Sequence, residues 1–383
     1  VWKMSSIQRF IEESLVGEIL DSLDAIKKVL SKAPQNVADE PIELQFPTVV
    51  VIGQENAGKS SVLERLCRFS FFPRSNDVTT RMPIELRLIR CTPERLALVV
   101  PEEGDLVGSG APVNARTHAL RISFQSEGFK SAIFLSLSDA SGDLSKDVLK
   151  CQETVLKKLT GKQTSFLKDP LKIQIWSTDI PDITLIDLPG VFSVAGPDDP
   201  KNIVDYTKQI TLDHLKLDSA VFCVVVSGKS DSARNDVVLG MLDASGRNKN
   251  AVCALTRADR CLDDDSKTSL RGYLKGANLP CLGGGYVALK NRNTATKDTV
   301  SLIQADKEED EFFKKEFPEL VDGDQSSIGC LIKRIGDLLV DMTMNSWVGK
   351  AVGIVDLKLG ALAARSQSLG FDPANASEEQ KLK

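Results

Sequence analysis

The sequence predicts an α/β fold with a mostly parallel central sheet flanked by helices, plus a helical bundle formed by the N- and C-terminal segments. Short apolar segments alternate with helical segments between residues 46 and 289, which is typical of parallel strands with helical crossovers. A loop containing two glycines, at 53–60, joins the first apolar segment to a helix. After about residue 305 only helical patterns remain. These patterns divide the chain into an N-terminal bundle helix at 1–40, an α/β domain at 41–320 and C-terminal helices at 321–383.

The N-terminal segment 5–33 carries apolar side chains at helical spacing. One face consists of Ile7, Phe10, Ile11, Leu15, Ile19 and Leu23. One amphipathic helix, or two, would need a partner for this face. The segments 326–345 and 350–369 are also predicted helices with an apolar stripe, so we expect the two ends of the chain to pair.

The middle of the chain contains a series of candidate strands. The first, at 46–52, is a β-branched run followed by Gly53, as expected of a buried parallel strand. The others lie at 84–90, 95–100, 119–124, 172–177, 183–187, 219–227, 251–256 and 284–289. The Gly- and Pro-rich segment 101–118 is expected to form a surface hairpin loop, and the charged segment 306–316 a helix.

Composition limits the classes of partner. The chain has 48 Lys and Arg against 53 Asp and Glu, a net charge of -5, so we expect no nucleic-acid partner. The eight cysteines are scattered without a C-x-x-C pair, which favours reduced, mostly buried thiols in a cytoplasmic protein. Apolar stretches such as 219–226 are far shorter than the roughly 18–20 residues that span a bilayer. Because it begins with Val1 and ends in a polar run, we expect the chain to be a piece of a longer protein.

The loop at 53–60 fits the phosphate-binding pattern G-x-x-x-x-G-K-[ST] between a strand and a helix. It consists of Gly53, Gln54, Glu55, Asn56, Ala57, Gly58, Lys59 and Ser60, and Ser61 continues into the helix. The glycines let backbone amides surround phosphate oxygens at a helix N-terminus. Lys59 can reach the β- and γ-phosphates and the Ser60 hydroxyl can bind Mg²⁺. The loop therefore predicts a P-loop site for a nucleoside triphosphate.

Two further segments extend this prediction. Asp187 and Gly190 lie in the turn Asp187-Leu188-Pro189-Gly190, after a strand expected to lie beside the first one. There Asp187 can hold Mg²⁺ through water, and the Gly190 amide can approach the γ-phosphate. The polar loop 74–81 contains Thr79 and Thr80, either of which can close over the metal while the γ-phosphate is present. Spacing alone does not choose between them.

The base is predicted to be guanine. Asp259, in the segment Thr256-Arg257-Ala258-Asp259 after a strand, can accept hydrogen bonds from guanine N1–H and the exocyclic amine, whereas adenine lacks this donor pair. After the next strand come Asn291, Arg292 and Asn293, which are in place to line the base and sugar.

In this order the motifs resemble those of the dynamin superfamily of large GTPases, over about residues 5–373. The segments that carry the resemblance are the phosphate loop continued by Ser61-Val62-Leu63-Glu64, Phe72-Pro73-Arg74, Val78-Thr79-Thr80-Arg81-Met82-Pro83, Asp187-Leu188-Pro189-Gly190, Thr256-Arg257-Ala258-Asp259, Asn291-Arg292, Phe312-Phe313, Phe317-Pro318 and Leu369-Gly370-Phe371-Asp372-Pro373.

The resemblance implies a GTPase head with part of a bundle signalling element and, from Leu369 onward, the start of a stalk. The head would use GTP or GDP, Mg²⁺ and a monovalent cation, K⁺ or Na⁺. It assigns the switch role to Thr80, places Arg74 and Ser75 near the nucleotide, and gives a catalytic set of Glu55, Asn56, Lys59, Thr80 and Gly190. Such heads form head-to-head homodimers that complete the catalytic site, and higher oligomers in the full-length protein. Regions outside this sequence would bind membrane lipids or adaptors. The full-length protein would be cytoplasmic, with peripheral membrane association.

The chain departs from the family pattern in three regions. Glu55 and Asn56 stand where the family usually has Gln and Ser or Thr, two positions associated with placing the attacking water and the cation. The segment after Gly190 lacks a lysine common in close relatives. Arg257 replaces the lysine that stacks beneath guanine, and an arginine can also stack on a ring.

Three hypotheses follow from these residues. The first is a self-activating, membrane-remodelling GTPase. The second is a GTP-gated dimerisation or scaffold module that hydrolyses GTP slowly because of Glu55 and Asn56. The third is an adenine-specific P-loop ATPase.

Overall fold

The computed structural model describes residues 46–369, except for 70–79, 109–111, 113–115, 127–128, 138–144, 162–166, 179, 181–182, 197–198, 230–232 and 293–299. Within these residues one sheet contains ten strands. They are β1 Thr48–Gly53, β2 Ile84–Arg90, β3 Leu106–Val107, β4 His118–Ser126, β5 Phe129–Leu137, β6 Leu171–Ser177, β7 Ile183–Asp187, β8 Ala220–Ser227, β9 Ala251–Thr256 and β10 Tyr286–Ala288.

Helices cover the sheet and form the C-terminal part of the described chain. They are α1 Lys59–Cys67, α2 Pro93–Ala97, α3 Ser145–Thr160, α4 Ile203–Leu215, α5 Val237–Ser245, α6 Asp264–Leu274, α7 Leu302–Glu316, α8 Pro318–Asp322, α9 Ile328–Met342 and α10 Val348–Leu369. A π-helical turn, Thr343–Trp347, joins α9 to α10, and short 3₁₀ turns lie at Asn248–Asn250 and Ala258–Arg260.

The strand order is β10-β9-β8-β1-β7-β2-β6-β4-β5-β3. In the middle, β1 runs parallel to both β7 and β8, with Val51 opposite Asp187 and Gly53 opposite Val225. The strands β8, β9 and β10 are also parallel, whereas β2 is antiparallel to β7, and β4 to β5 and β6. The sheet is therefore mostly parallel, as predicted. The loops after β1, β7, β9 and β10 leave from one edge, where ligands bind in such sheets.

Successive side chains of β1 enter two separate cores. Val49 and Val51 belong to a core that includes residues of α1 and α9. Val50 and Ile52 belong to the other, which includes Phe313 of α7. Because strand side chains alternate between faces and both faces are covered, the central strands are continuously apolar.

The strand predictions are confirmed except at 95–100. That run is helical over Pro93–Ala97, because a proline fits the first turn and Thr92 caps it, its Oγ1 accepting from Arg95 N at 3.3 Å. Only Leu96 of this helix is buried, and Leu98 is 79% exposed. Two strands were missed: β5, and β3 within the segment interpreted as a hairpin loop.

The predicted C-terminal helices are present but continuous, because the π-helical turn replaces the expected break near 345–350. α9 packs in the core beneath β1 through its apolar face. Along α10, by contrast, Val348, Val352, Leu357 and Leu359 are exposed. The N-terminal helix predicted to pair with this region lies outside the described residues. No helix in the described ranges is both long and apolar enough to cross a bilayer.

Candidate nucleotide-binding site

The phosphate loop has the backbone that its glycines predict. A Cβ on Gly53 would lie 2.4 Å from the carbonyl oxygen of Val225 on the neighbouring strand, so no side chain fits there. Gly58 has φ 99°, a left-handed conformation that favours glycine, and it immediately precedes α1. Asn56 has φ 59°, which asparagine tolerates better than most residues. The loop therefore curls back over the N-terminus of α1, where Ser60 and Ser61 lie in the first turn.

Lys59 is folded over this loop. Its Nζ donates to the carbonyl oxygens of Gly53 and Gln54, each at 3.3 Å, and the residue is only 8% exposed. Burial lowers the pKa of Lys59, against the opposing effect of the carboxylates of Asp187, Glu55 and Asp236. A buried cation held by two carbonyl oxygens is available to an anion that enters the loop.

Asp187 is the buried carboxylate beside this lysine. One of its oxygens, Oδ2, accepts from Thr80 Oγ1 at 3.2 Å, while Oδ1 has no hydrogen-bond partner within the described part of the chain. Burial raises the pKa of Asp187 to about 6, although Lys59 and the Thr80 hydroxyl act in the opposite direction. An orphaned buried oxygen beside a threonine hydroxyl fits a Mg²⁺ site, since Mg²⁺ binds through few protein oxygens, water and phosphate. Asp187 and Thr80 are thus hydrogen-bonded to each other, and Ser60 is half-buried at the start of α1. Binding of Mg²⁺ by these three residues stays a prediction.

Gly190 packs directly against the phosphate loop. Val191 N donates to Gly53 O and Glu55 N donates to Val191 O, each at 3.1 Å, so the two segments are joined by backbone hydrogen bonds. A Cβ on Gly190 would lie 2.8 Å from Glu55 Cα and 2.9 Å from Lys59 Nζ. The absence of a side chain at this position is what allows the turn to approach the lysine.

Glu55 lies in an environment that disfavours its charge. Burial, followed by the carboxylate of Asp199, raises the pKa of Glu55, and the ammonium of Lys59 lowers it. Asp199 itself accepts from Gly196 N at 2.8 Å. A protonated Glu55 would carry a hydrogen-bond donor, as a glutamine side chain does.

The loops after β9 and β10 lie against the other side of the phosphate loop. Thr256 Oγ1 donates to Ala57 O at 2.6 Å, and Arg257, with φ 62°, donates from Nη2 to Asn56 O at 2.6 Å. Asp259 is half-buried in the following 3₁₀ turn. Asn291 Nδ2 lies 3.5 Å from the position that a Cβ on Gly58 would occupy.

These residues bring the predicted phosphate, metal and base positions to one edge of the sheet. Over residues 49–257 the chain also matches the sequence model of the Dynamin family. This chain belongs to the dynamin family. The matched region begins within β1, contains the phosphate loop and ends at Arg257, two residues before Asp259.

Individual dynamin-family relatives are distant. Dynamin-1-like protein of Rattus norvegicus is 23% identical over 331 residues, and the interferon-induced GTP-binding protein Mx of Gallus gallus is 26% identical over 329 residues. Dynamin-related protein 3B of Arabidopsis thaliana is 27% identical over 252 residues. These alignments cover 85%, 84% and 65% of this chain, but 41%, 40% and 28% of the relatives. The chain thus spans about two fifths of the length of the first two.

Arg292 has a protein partner in this dynamin-family head. Its Nη2 donates to Glu64 Oε2 at 2.7 Å and its Nη1 to Val300 O at 3.0 Å. Both the Arg292 and Glu64 side chains are nearly inaccessible. The guanidinium therefore joins the loop after β10 to α1. A contact between Arg292 and the nucleotide stays a prediction. Arg74, Ser75, Thr79 and Asn293 lie outside the described residues.

The sequence did not single out Asp236 and Asp199, whose charges act on Lys59 and Glu55 respectively. Asp236 caps α5, its Oδ1 accepting from Val238 N and Leu239 N at 2.9 and 3.0 Å. An Asp before an apolar helical run is a recognisable N-cap pattern, but nothing local indicates its proximity to the lysine. No comparable sequence pattern marks Asp199. None of the eight cysteines, all within the described chain, forms a disulfide, and six are buried.

Proposed function

We propose that this chain binds GTP with Mg²⁺ and hydrolyses it to GDP and phosphate, as the head of a dynamin-like protein that remodels membranes. The observation that carries the proposal is the convergence of Lys59, Asp187 with its orphaned oxygen, and the Thr256–Asp259 segment around one phosphate loop. They lie at or after the ends of three different strands of the sheet, β1, β7 and β9. Mg²⁺, when bound, would neutralise charge on the β- and γ-phosphates.

In this proposal the chain's own residues position the reactants. Lys59 exchanges the carbonyl oxygens of Gly53 and Gln54 for phosphate oxygens, which compensate its charge better. Ser60, Thr80 and Asp187 would hold Mg²⁺. The amides of the phosphate loop and Gly190 donate to the phosphates, and positioning rather than covalent chemistry lowers the barrier.

Guanine selection is proposed to rest on Asp259, with Arg257 and Asn291 beside it. Asp259 would accept two hydrogen bonds from guanine, and adenine would leave this carboxylate without donors. Arg257 is held toward the phosphate loop by its bond to Asn56 O, which leaves its planar guanidinium available for stacking on the base. Arg74, Ser75, Arg292 and Asn293 stay proposed nucleotide contacts.

The assembly is also proposed. The apolar side chains exposed along α10 fit a partner helix, and the amphipathic segment at 1–40 is the candidate for a bundle with it. Nucleotide-dependent pairing of two heads would complete the site with K⁺ or Na⁺. Lipids or adaptors would be reached through other regions of the full-length protein, which would act in the cytoplasm at membrane surfaces.

A slowly hydrolysing GTP-gated module is the second candidate, and Glu55 favours it. Burial, followed by the carboxylate of Asp199, raises the pKa of the Glu55 carboxyl group, and a negative charge on it would oppose the phosphates. Nucleotide would then control dimerisation with little turnover.

The test begins with calorimetric titration of the full chain with a non-hydrolysable GTP analogue and Mg²⁺, with ATP as competitor. Absence of heat with the GTP analogue would remove the proposal, and equal competition by ATP would remove guanine selection. Single-turnover hydrolysis in Na⁺, K⁺ and Li⁺ buffers then separates the candidates. Phosphate release no faster than from free GTP would leave only the slowly hydrolysing module.

A further inference from the structure

A fully buried carboxylate joins three segments behind the nucleotide site. Glu309 of α7 is 0% exposed. Its Oε1 accepts from Arg65 Nη1 at 2.9 Å and from Lys290 N at 2.7 Å. Its Oε2 accepts from Ile328 N at 2.9 Å and from Arg65 Nη2. One side chain therefore binds α1, the loop after β10 and the first residue of α9.

Arg65 connects this carboxylate to the candidate site. It lies on α1, the helix that begins at Lys59, and its side chain is 1% exposed. Besides Glu309, its Nη1 reaches Lys290 O at 3.2 Å and Asn291 Oδ1 at 3.5 Å. Its Nε and Nη2 donate to Asp306 Oδ1 at 3.2 and 2.8 Å. The guanidinium thus holds both the backbone and a side chain of the loop after β10.

That loop lies directly against the phosphate loop, since Asn291 Nδ2 is 3.5 Å from the position of a Cβ on Gly58. Ala258 N also donates to Leu289 O at 3.2 Å, which joins the loop to the segment that contains Asp259. A shift at 290–291 would therefore change both the phosphate loop and the predicted base contacts.

Stability alone is a poor explanation for such a group. A buried ion pair is often replaceable by apolar residues of similar volume without loss of stability. What apolar residues cannot do is fix the orientation of a loop, and a planar five-donor fork does this better than a flexible ammonium.

We propose that Arg65 and Glu309 are positioning residues that hold the loop at 290–291 against the phosphate loop and so set the affinity for the base end of guanine nucleotide. The start of α9 depends on the same carboxylate, so nucleotide binding stabilises that helix end as well. This inference rests on the proposed GTP site.

The variant that separates positioning from stability is Arg65→Lys. A lysine keeps a positive charge facing Glu309 and Asp306, but one ammonium cannot also reach Lys290 O and Asn291. In the full chain, we expect the Kd for a fluorescent GDP analogue to rise about tenfold. This corresponds to the loss of one or two hydrogen bonds from a charged donor. The thermal unfolding midpoint should also fall, because the lost hydrogen bonds lie in a buried cluster, so the Kd is measured well below that midpoint.

The matched control is Asp105→Asn. Asp105 forms a less buried ion pair with Arg121, at 2.8 Å, and this pair lies near β3, at the edge of the sheet opposite β10. This variant should lose stability while its Kd stays within twofold of the wild type. Hydrogen exchange adds an independent readout: GDP should slow exchange of the amides at 326–331 in the wild type and less so in Arg65→Lys.

An Arg65→Lys chain that binds within twofold of the wild type would overturn the inference. So would a Kd that follows the unfolding midpoint in both variants alike, because that would indicate a purely structural pair. A wild-type chain that binds no guanine nucleotide overturns the proposed function and this inference with it. If the wild type binds guanine nucleotide and Arg65→Lys binds it equally well, the inference is overturned and the proposed function is not.

Discussion

Replacing Gly190 by alanine tests the contact between the turn after β7 and the phosphate loop. The new methyl carbon would lie 2.8 Å from Glu55 Cα, 2.9 Å from Glu55 N and 2.9 Å from Lys59 Nζ. Carbon contacts are ordinarily about 3.5–4.0 Å, so the turn after β7 and the phosphate loop must separate by about 1 Å. Two of the three opposing atoms are backbone, so rotation of a side chain cannot relieve the clash.

Overpacking of this kind typically costs about 1–3 kcal/mol of unfolding free energy. We expect a lower urea midpoint for Gly190→Ala. We also expect a larger functional loss, because a displacement of about 1 Å in a catalytic site can reduce rates roughly 100-fold. The assays are urea unfolding, titration with a fluorescent GTP analogue and single-turnover GTP hydrolysis.

Gly240→Ala is the matched control. Gly240 is an exposed residue within α5, and a Cβ there meets no atom within 4 Å. Alanine in a helix interior is favoured over glycine by about 0.5–1 kcal/mol, so this variant should be slightly more stable and bind GTP normally. If Gly190→Ala binds and hydrolyses GTP as well as Gly240→Ala does, the close packing of the turn against the loop has no functional role.

Three further predictions concern charged residues of the site. Lys59→Ala should abolish binding of a GTP analogue in calorimetry with little change in the unfolding midpoint, because burial already disfavours the lysine's charge; retained affinity would contradict its role as a phosphate ligand. Asp259→Asn should shift base preference from guanine toward xanthine in competition titrations, since the amide presents a donor where guanine also donates; unaltered selectivity would refute the assignment. The raised pKa of Asp187, about 6, means that the folded chain holds this proton more tightly than the unfolded chain, so nucleotide-free stability falls as pH rises from about 4 to about 6. Asp187→Asn should therefore raise the unfolding free energy by roughly 1–3 kcal/mol at pH 7 and by little at pH 4, while Mg²⁺-dependent binding disappears; urea unfolding at both pH values measures this, and an equal change at both would show that ionisation is not the cause.

Several features were predictable because they depend on residues that are close together in the sequence. The phosphate loop, the turn from Asp187 to Gly190 and most strands follow from local patterns of glycine, β-branched residues and chain order. The adjacency of β1 and β7, and with it the meeting of Lys59 and Asp187, followed from the parallel α/β arrangement.

Local patterns misled in two segments. The segment at 95–100 has strand-like composition, but capping by Thr92 and a proline at the first turn make its first half helical. β5 was missed although it pairs with β4 along its whole length, because a short mixed run such as 129–137 has no decisive periodicity.

The amino-acid sequence by itself determined the nucleotide motifs, their order and the family to which the chain belongs, because these depend on residues that are close together in the chain. Only the tertiary structure decided the partners of the buried charges. Arg65 and Glu309 are 244 positions apart, and Arg292 and Glu64 are 228 apart. Each charge in isolation has the pattern of an ordinary helix or loop residue. A buried charge requires a partner, and the packing of α1, α7 and the loop after β10 determines which residue that is.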